Sequence, residues 1–304
     1  MIIVRFHGGL GNQMFEYSFY EYLKSRYDVE VKADLTWFDR NYSEHQGFEL
    51  EDVFGIDMQV ASYKEIAAVH EYFPRYYPFA ALRFLSRKLA AFKNKKRNSK
   101  GGFVHNYMWD FGPTQYTKNE DFDHIDITKD WYIEGVYCSD AYYSVCEDTL
   151  KKRFSFKEPL DKDNQLLADA MNKQESVAIH VRRGDYVGNV FDIVTVDYYR
   201  RAVEYIRSKV DNPVFYVFSD DMDYIQKEFT FLKDYVPVHN EGKKSFTDMR
   251  MISNCKHMIV ANSSFSYWGA VLGQTKDSII IAPKKYKADE EIALARANWL
   301  LFDL

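Results

Sequence analysis

Ser176-Val177-Ala178-Ile179-His180-Val181-Arg182-Arg183-Gly184-Asp185 changes character along its length. Its opening run is short and apolar, the pattern of a strand buried on both faces of a sheet. His180 to Asp185 then set an imidazole, two guanidiniums and a carboxylate at that strand's carboxyl end. In open α/β sheets this is the edge that binds ligands. A planar, permanently charged guanidinium suits a phosphate or pyrophosphate better than a lysine does. Each charge-assisted hydrogen bond there contributes roughly 1.5–3 kcal/mol. Taken alone, the same residues also read as a surface turn paired to Asp185, or as an exposed Arg183-Gly184-Asp185 adhesion tripeptide.

The pattern continues downstream. Apolar strand candidates recur at 213–219, 235–239, 257–261 and 278–282, with amphipathic stretches at 197–210 and 222–232. Strands alternating with helices predict an α/β domain with a parallel sheet and right-handed crossovers. Each strand candidate ends in polar residues: Ser219-Asp220-Asp221, His239-Asn240, Asn262-Ser263-Ser264 and Pro283-Lys284-Lys285. One polar strand end is ordinary; a whole edge of them predicts a binding crevice.

These parts suit a purine nucleoside diphosphate. Asp220 or Asp221 can accept two hydrogen bonds from guanine or take a ribose hydroxyl, or else form an Asx turn and cap a helix. Asn262-Ser263-Ser264-Phe265 leads from strand into helix, where free N–H groups and the helix dipole favour phosphate. Plain serine capping is the alternative. At the amino end a strand at 2–6 runs into His7-Gly8-Gly9-Leu10-Gly11-Asn12-Gln13-Met14 and a helix to about Tyr27. That loop is neither a dinucleotide fingerprint nor a P-loop. It reads as an anion-friendly turn or as a purely structural one.

Length and charge narrow the class. A chain of 304 residues accommodates two α/β domains, and a net charge of −5 argues against a nucleic-acid partner. Three cysteines without metal spacing point to a reducing compartment. No signal peptide or apolar span is evident, which predicts a cytoplasmic protein. Aromatic residues make up 17% of the chain, enough to stack sugars or to fill cores.

Five blocks in order give a resemblance. Gly8-Gly9-Leu10-Gly11-Asn12-Gln13-Met14-Phe15, His180 to Tyr186, Phe218 to Asp221, Ala261 to Ala270 and Ile281 to Lys284 resemble the α-1,2-fucosyltransferases, inverting glycosyltransferase family 11 of bacterial type. The resemblance implies a GT-B fold, two Rossmann-like domains facing across a cleft. It implies GDP-L-fucose as co-substrate, no cofactor, no metal, and transfer to the 2-hydroxyl of a galactose-terminated oligosaccharide or lipid-linked glycan. On this basis the donor is bound by His180, Arg182, Arg183, Asp220, Asp221, Asn262, Ser263, Ser264 and Phe265, with Gly8, Gly9, Asn12 and Gln13. Arg182 stabilises departing GDP. Asp185 either orients the arginines or, like Glu16, is a candidate base. Glu16 stands where many bacterial relatives carry glutamine, Tyr267 where tryptophan is frequent, and His7 at a variable position that receives no role.

The expected domains are 1–170 for acceptor, 171–285 for nucleotide, and 286–304 crossing back onto the first domain as a helix. His105 to Asp110, Trp131 to Cys138 and Tyr142-Tyr143 are candidates to line the acceptor surface. Asp121-Phe122-Asp123 and Asp221-Met222-Asp223 fit the D-x-D pattern of metal-dependent transferases, but such triplets arise easily among 45 acidic residues. Residues 75–100 hold nine lysines and arginines and no acid, interleaved with apolar residues. They read as a peripheral contact with the inner membrane face or as a solvated helix and loop. Two non-catalytic alternatives remain: a sugar-nucleotide-binding protein without turnover, and an adhesion scaffold.

Overall fold

The computed structural model describes residues 1–39, 46–69, 103–105, 122, 124–135, 137–240, 242–289 and 292–304. The basic stretch 75–100, residues 106–110, Asp121 and Asp123 lie outside them. The chain forms two compact units, Met1–Arg153 and Phe154–Leu304.

In the first unit, β1 (Ile2–Arg5) is followed by α1 (Leu10–Arg26), β2 (Val31–Asp34), α2 (Leu50–Phe54) and α3 (Tyr63–Val69). Then come β3 (Phe103–His105), β4 (Trp131–Glu134), α4 (Asp140–Val145) and α5 (Glu147–Arg153). The strands are parallel in the order β2-β1-β4-β3. Ile2, Ile3 and Val4 bury both faces of β1, which is why it reads as a continuous apolar run. The aromatic wealth goes largely inward here. Phe19 on α1 stacks on Tyr137 at 3.9 Å and meets Tyr142 edge-on at 4.9 Å. Tyr142 and Tyr143 are fully buried, so they build the core and do not line an acceptor surface. Offset and edge-on ring pairs of this kind add roughly 0.5–1.5 kcal/mol each beyond their burial.

The second unit contains α6 (Lys162–Lys173), β5 (Ser176–Val181), α7 (Val196–Lys209), β6 (Val214–Ser219), α8 (Met222–Glu228) and β7 (Tyr235–Val238). It continues through α9 (Phe246–Ser253), β8 (His257–Ile259), α10 (Ser264–Gly273), β9 (Ile280–Pro283) and β10 (Leu300–Phe302). All strands are parallel, in the order β10-β9-β8-β5-β6-β7. The succession leaves β5 in one direction through β6 and β7, then restarts on its other side with β8. Val177, Ile179 and Val181 of β5 pack with Tyr198, Ala202 and Ile206 of α7 in the core. Helix starts are capped by local carboxylates and hydroxyls: Asp161 accepts from Asn164 N–H at 3.0 Å, and Thr195 from Tyr198 N–H at 3.2 Å. Each such cap is worth about 1 kcal/mol.

Two boundaries differ from the sequence expectation. The units divide after Arg153 instead of near 170, because Phe154 packs edge-on against Trp268 of α10 at 5.2 Å. α6 likewise precedes β5 within the second unit. The end of the chain does not cross back as a helix: β10 pairs with β9, and Lys284 N–H donates to Phe302 O at 2.9 Å. Trp299 anchors it, packing on Tyr267 at 5.2 Å and donating to Gln274 at 3.0 Å.

Candidate active site

The strand order reverses between β5 and β8, and outside the carboxyl ends at such a reversal is where these sheets take ligands. His180 is the last residue but one of β5, and Arg182 and Arg183 follow the strand; Asn262, Ser263 and Ser264 follow β8; Asp220 and Asp221 follow β6 on the other flank. Topology thus gathers the three best-supported sequence blocks at one edge.

Arg182 is held by two carboxylates. Its guanidinium lies 2.6 Å from Asp185 and 2.9 Å from Asp220. Asp220 also accepts the Arg183 backbone N–H at 2.9 Å. The loop must come very close for this: a Cβ on Gly184 would stand 2.6 Å from Asp220 Oδ2. A side chain at Gly184 would therefore displace the Asp220 carboxylate, whereas the glycine's own backbone angles demand nothing special. Arg183 pairs with Asp192 at 3.2 Å and lies over the Tyr224 ring at 4.1 Å.

These contacts revise the two aspartates. Asp220 fixes the arginine loop, and Asp221 caps α8 by accepting the Tyr224 N–H at 3.0 Å. Neither carboxylate is left facing guanine without a protein partner. Asp221 thus forms the helix cap that the sequence offered as one alternative. For Asp185, the pairing with Arg182 matches the orienting role. The turn that the adhesion reading needs is exposed at Gly184 and Asp185, within a 3-10 turn from Gly184 to Tyr186, while Arg183 is paired with Asp192. Asp192 and Tyr224 were missed, and Tyr186, though inside the quoted motif, had received no role; Arg182 lies over its ring at 5.7 Å.

His180 is buried beside the Phe265 ring at 5.7 Å. Burial, reinforced by the Arg182 charge, pushes its pKa down to about 3, so the imidazole is neutral. Its buried Nδ1 meets no hydrogen-bond partner among the described residues. Ser263 caps α10 by accepting from Phe265 N–H at 3.3 Å. Asn262 is a strut: its amide donates to Phe191 O at 3.0 Å and Tyr286 O at 2.7 Å, tying two loops together. Ser264 and Phe265 open α10, whose positive end lies at this edge.

The glycine loop of the first unit is built differently. Gly8 takes φ +75°, a left-handed conformation, and a Cβ there would meet Asn12 Nδ2 at 2.7 Å. Gly9 starts α1 without a side-chain cap. Gln13 donates to Gly8 O and Gly47 O, both at 2.9 Å, and accepts from Glu49 N–H at 2.9 Å. Its amide is a staple between two loops. Glu16 is fully buried against His7: Oε1 lies 2.6 Å from Nδ1, and Oε2 accepts the His7 backbone N–H at 3.0 Å. Burial drives the Glu16 pKa up to about 7, against the opposing pull of His7. Sequence reading gave His7 no role, since no spacing rule links it to a residue nine positions on.

Among the described residues, no cluster of three or more His, Cys, Asp or Glu is arranged to hold a metal ion. No described helix is long and apolar enough to cross a membrane.

The chain has relatives among known proteins. Residues 1–302 match Glycosyl transferase family 11. An alpha-1,2-colitosyltransferase of Escherichia coli is 31% identical over 302 residues, covering 96% of this chain and 94% of the relative. The galactoside 2-alpha-L-fucosyltransferase Sec1 of Mus musculus is 28% identical over 150 residues, 45% of this chain and 41% of its own. Among solved structures, the fucosyltransferase NodZ from Bradyrhizobium superposes with a TM-score of 0.53 at 12% identity, covering 89% and 93% of the two chains. That likeness fixes the fold as GT-B, with two α/β units of parallel sheet. The match along almost the whole sequence makes the chain a member of glycosyltransferase family 11.

Proposed function

We propose that the enzyme transfers L-fucose from GDP-L-fucose to the 2-hydroxyl of a terminal galactoside, inverting the anomeric centre to give an α-1,2 linkage. The observation that carries the reading is Arg182, set at the strand reversal and held by Asp185 and Asp220 at 2.6 and 2.9 Å. When the anomeric C–O bond breaks, its electron pair passes to a β-phosphate oxygen. A guanidinium already in place interacts more strongly with that growing charge than with the intact donor. Neutral His180 adds a hydrogen-bonding edge without adding charge, and the α10 amino end contributes its dipole. The oxocarbenium-like sugar meets the acceptor oxygen from the opposite face.

Arg182, Arg183 and the helix end supply the positive field, so the reaction needs no metal and no cofactor. The acceptor is a galactose-terminated oligosaccharide or lipid-linked glycan, and residues 75–100 bring the enzyme to the inner membrane face. Sedimentation with anionic vesicles, with and without residues 93–100, tests that contact.

A second reading has colitose as the sugar moved. It is favoured by the 31% identity to the colitosyltransferase, which extends over both units. The deciding experiment offers GDP-fucose and GDP-colitose with a panel of galactosides in EDTA, reading GDP release and product linkage. An α-1,2-fucosylated product is expected. Colitose transfer alone selects the second reading, and tight GDP binding without transfer from either donor refutes both.

A further inference from the structure

Two guanidiniums follow β5 side by side and are held in different ways. Arg182 lies between Asp185 and Asp220, at 2.6 and 2.9 Å. Arg183 reaches other partners: Nη1 is 3.2 Å from Asp192, and the group lies over the Tyr224 ring at 4.1 Å. Its Nε is buried and meets no acceptor among the described residues. Asp192 is the one carboxylate among them that pairs with this side chain.

The end of β6 reaches Arg183 from two sides. Asp220 accepts the Arg183 backbone N–H through Oδ1, at 2.9 Å, and turns Oδ2 to Arg182. Asp221 caps α8 by accepting the Tyr224 N–H at 3.0 Å, which sets the ring that covers the guanidinium. Asp192 closes the third side from a loop that is itself well fixed. Its Oδ2 accepts the Gly188 N–H at 3.0 Å, Asn262 donates to Phe191 O at 3.0 Å, and Ala288 N–H donates to Val190 O at 2.9 Å. The contacts form a chain: Asp192 and Tyr224 hold the Arg183 side chain, its backbone holds Asp220, and Asp220 holds Arg182. Without Asp192 a side chain only 22% exposed would carry an unpaired charge, which is costly, so it would turn to water. The backbone N–H that fixes Asp220 would move with it.

We propose that Asp192 and Tyr224 are positioning residues of the transfer, acting through Arg183 to keep Arg182 aimed at the departing phosphate. The assignment rests on the reaction proposed above. Neither residue touches the reacting atoms; each contributes by holding a preorganised charge in place.

The test measures transfer by the full chain, from the donor found active, for a set of variants. Asp192→Asn should lower kcat roughly 10–100-fold, because a shift of about 1 Å at a charged contact is that costly. The Kd for GDP, measured by calorimetry, should change by no more than about threefold, the mark of an interaction made mainly in the transition state. Tyr224→Leu should lower kcat in the same direction, and Tyr224→Phe, which keeps the ring face, should recover most of that loss. Asp192→Asn combined with Arg183→Gln should cost no more than Arg183→Gln alone, since both cut one tether. Asp197→Asn is the control: it breaks pairs with Arg200 and Arg201 at 2.9 and 2.8 Å on the exposed face of α7, and should leave kcat unchanged.

Near-normal kcat in Asp192→Asn, or losses that multiply in the double variant, overturns the assignment and leaves the proposed function standing. So does a fall in melting temperature and GDP binding with kcat per GDP-binding site intact, which marks a purely structural clamp. If Asp192→Asn does not fold, Tyr224→Leu decides by the same measures. Absence of transfer by the wild type refutes the proposed function, and this assignment with it.

Discussion

The loops after β1 and β5 occupy the same topological place in their respective sheets and are chemically opposite. After β5, carboxylates from two positions hold a guanidinium whose side chain stays 32% exposed. After β1, an imidazole covers a carboxylate that is fully buried. Both loops need a glycine, for different reasons: Gly184 because Asp220 comes too near for a Cβ, Gly8 because the backbone turns left-handed at φ +75°. The same strand reversal therefore carries two charge patterns: one loop holds guanidiniums between carboxylates, the other a buried carboxylate under an imidazole.

The contrast is broken most severely by Arg182→Ala. Loss of one preorganised electrostatic contact to a developing charge costs about 10²–10³-fold in kcat, with GDP affinity weakened as well. Near-normal turnover would remove Arg182 from the chemistry.

The two loops also predict opposite responses to pH. Glu16 has its pKa raised from an ordinary 4.5 to about 7 in the folded protein, so its contribution is complete below pH 4.5. It is lost as pH rises to 7, by up to about 3 kcal/mol. His180 has its pKa lowered from 6.5 to about 3, so its contribution is complete above 6.5 and is lost as pH falls toward 3. Amide exchange, corrected for intrinsic rates, should show β1 and α1 losing protection on going from pH 4.5 to 7. β5 should lose it on going from 6.5 downward. Parallel behaviour of the two loops would refute the assignment of these groups as the titrating ones.

Gly184→Ala should push Asp220 aside and shift Arg182, lowering kcat about tenfold or more with little change in melting temperature, since a 1 Å misplacement at a reacting centre is costly. Gly8→Ala should do the reverse, destabilising the first unit by about 1–3 kcal/mol through left-handed strain. Calorimetric melting with GDP titration separates the two outcomes.

Much of the second unit was legible because each parallel strand is an apolar run followed by polar residues. The strands at 214–219, 235–238 and 257–259 begin and end within two residues of the expected positions. Their lateral order was not legible, since the pattern of one strand says nothing about its neighbour. The partners of Asp220 were hidden for the same reason: Arg183 lies 37 positions away and meets it only because β5 pairs with β6. β10 escaped because three residues of an edge strand carry little periodicity. The Gln13 staple and the His7–Glu16 pair were equally invisible, for polar residues at a glycine loop look alike whether they face a ligand or another loop.

The reversal also has a consequence for how the protein acquires its site. β5 registers Val177 against Phe215 on one side and against His257 on the other. The strand bearing the arginines must therefore wait for a neighbour made much later in the chain, and closing so long a loop slows folding. A refolding chain will form α7 and the β5–β6 pair while the crevice is still half walled. Recovery of GDP binding should accordingly trail recovery of helix content, making the nucleotide a reporter of the last assembly step in the second unit.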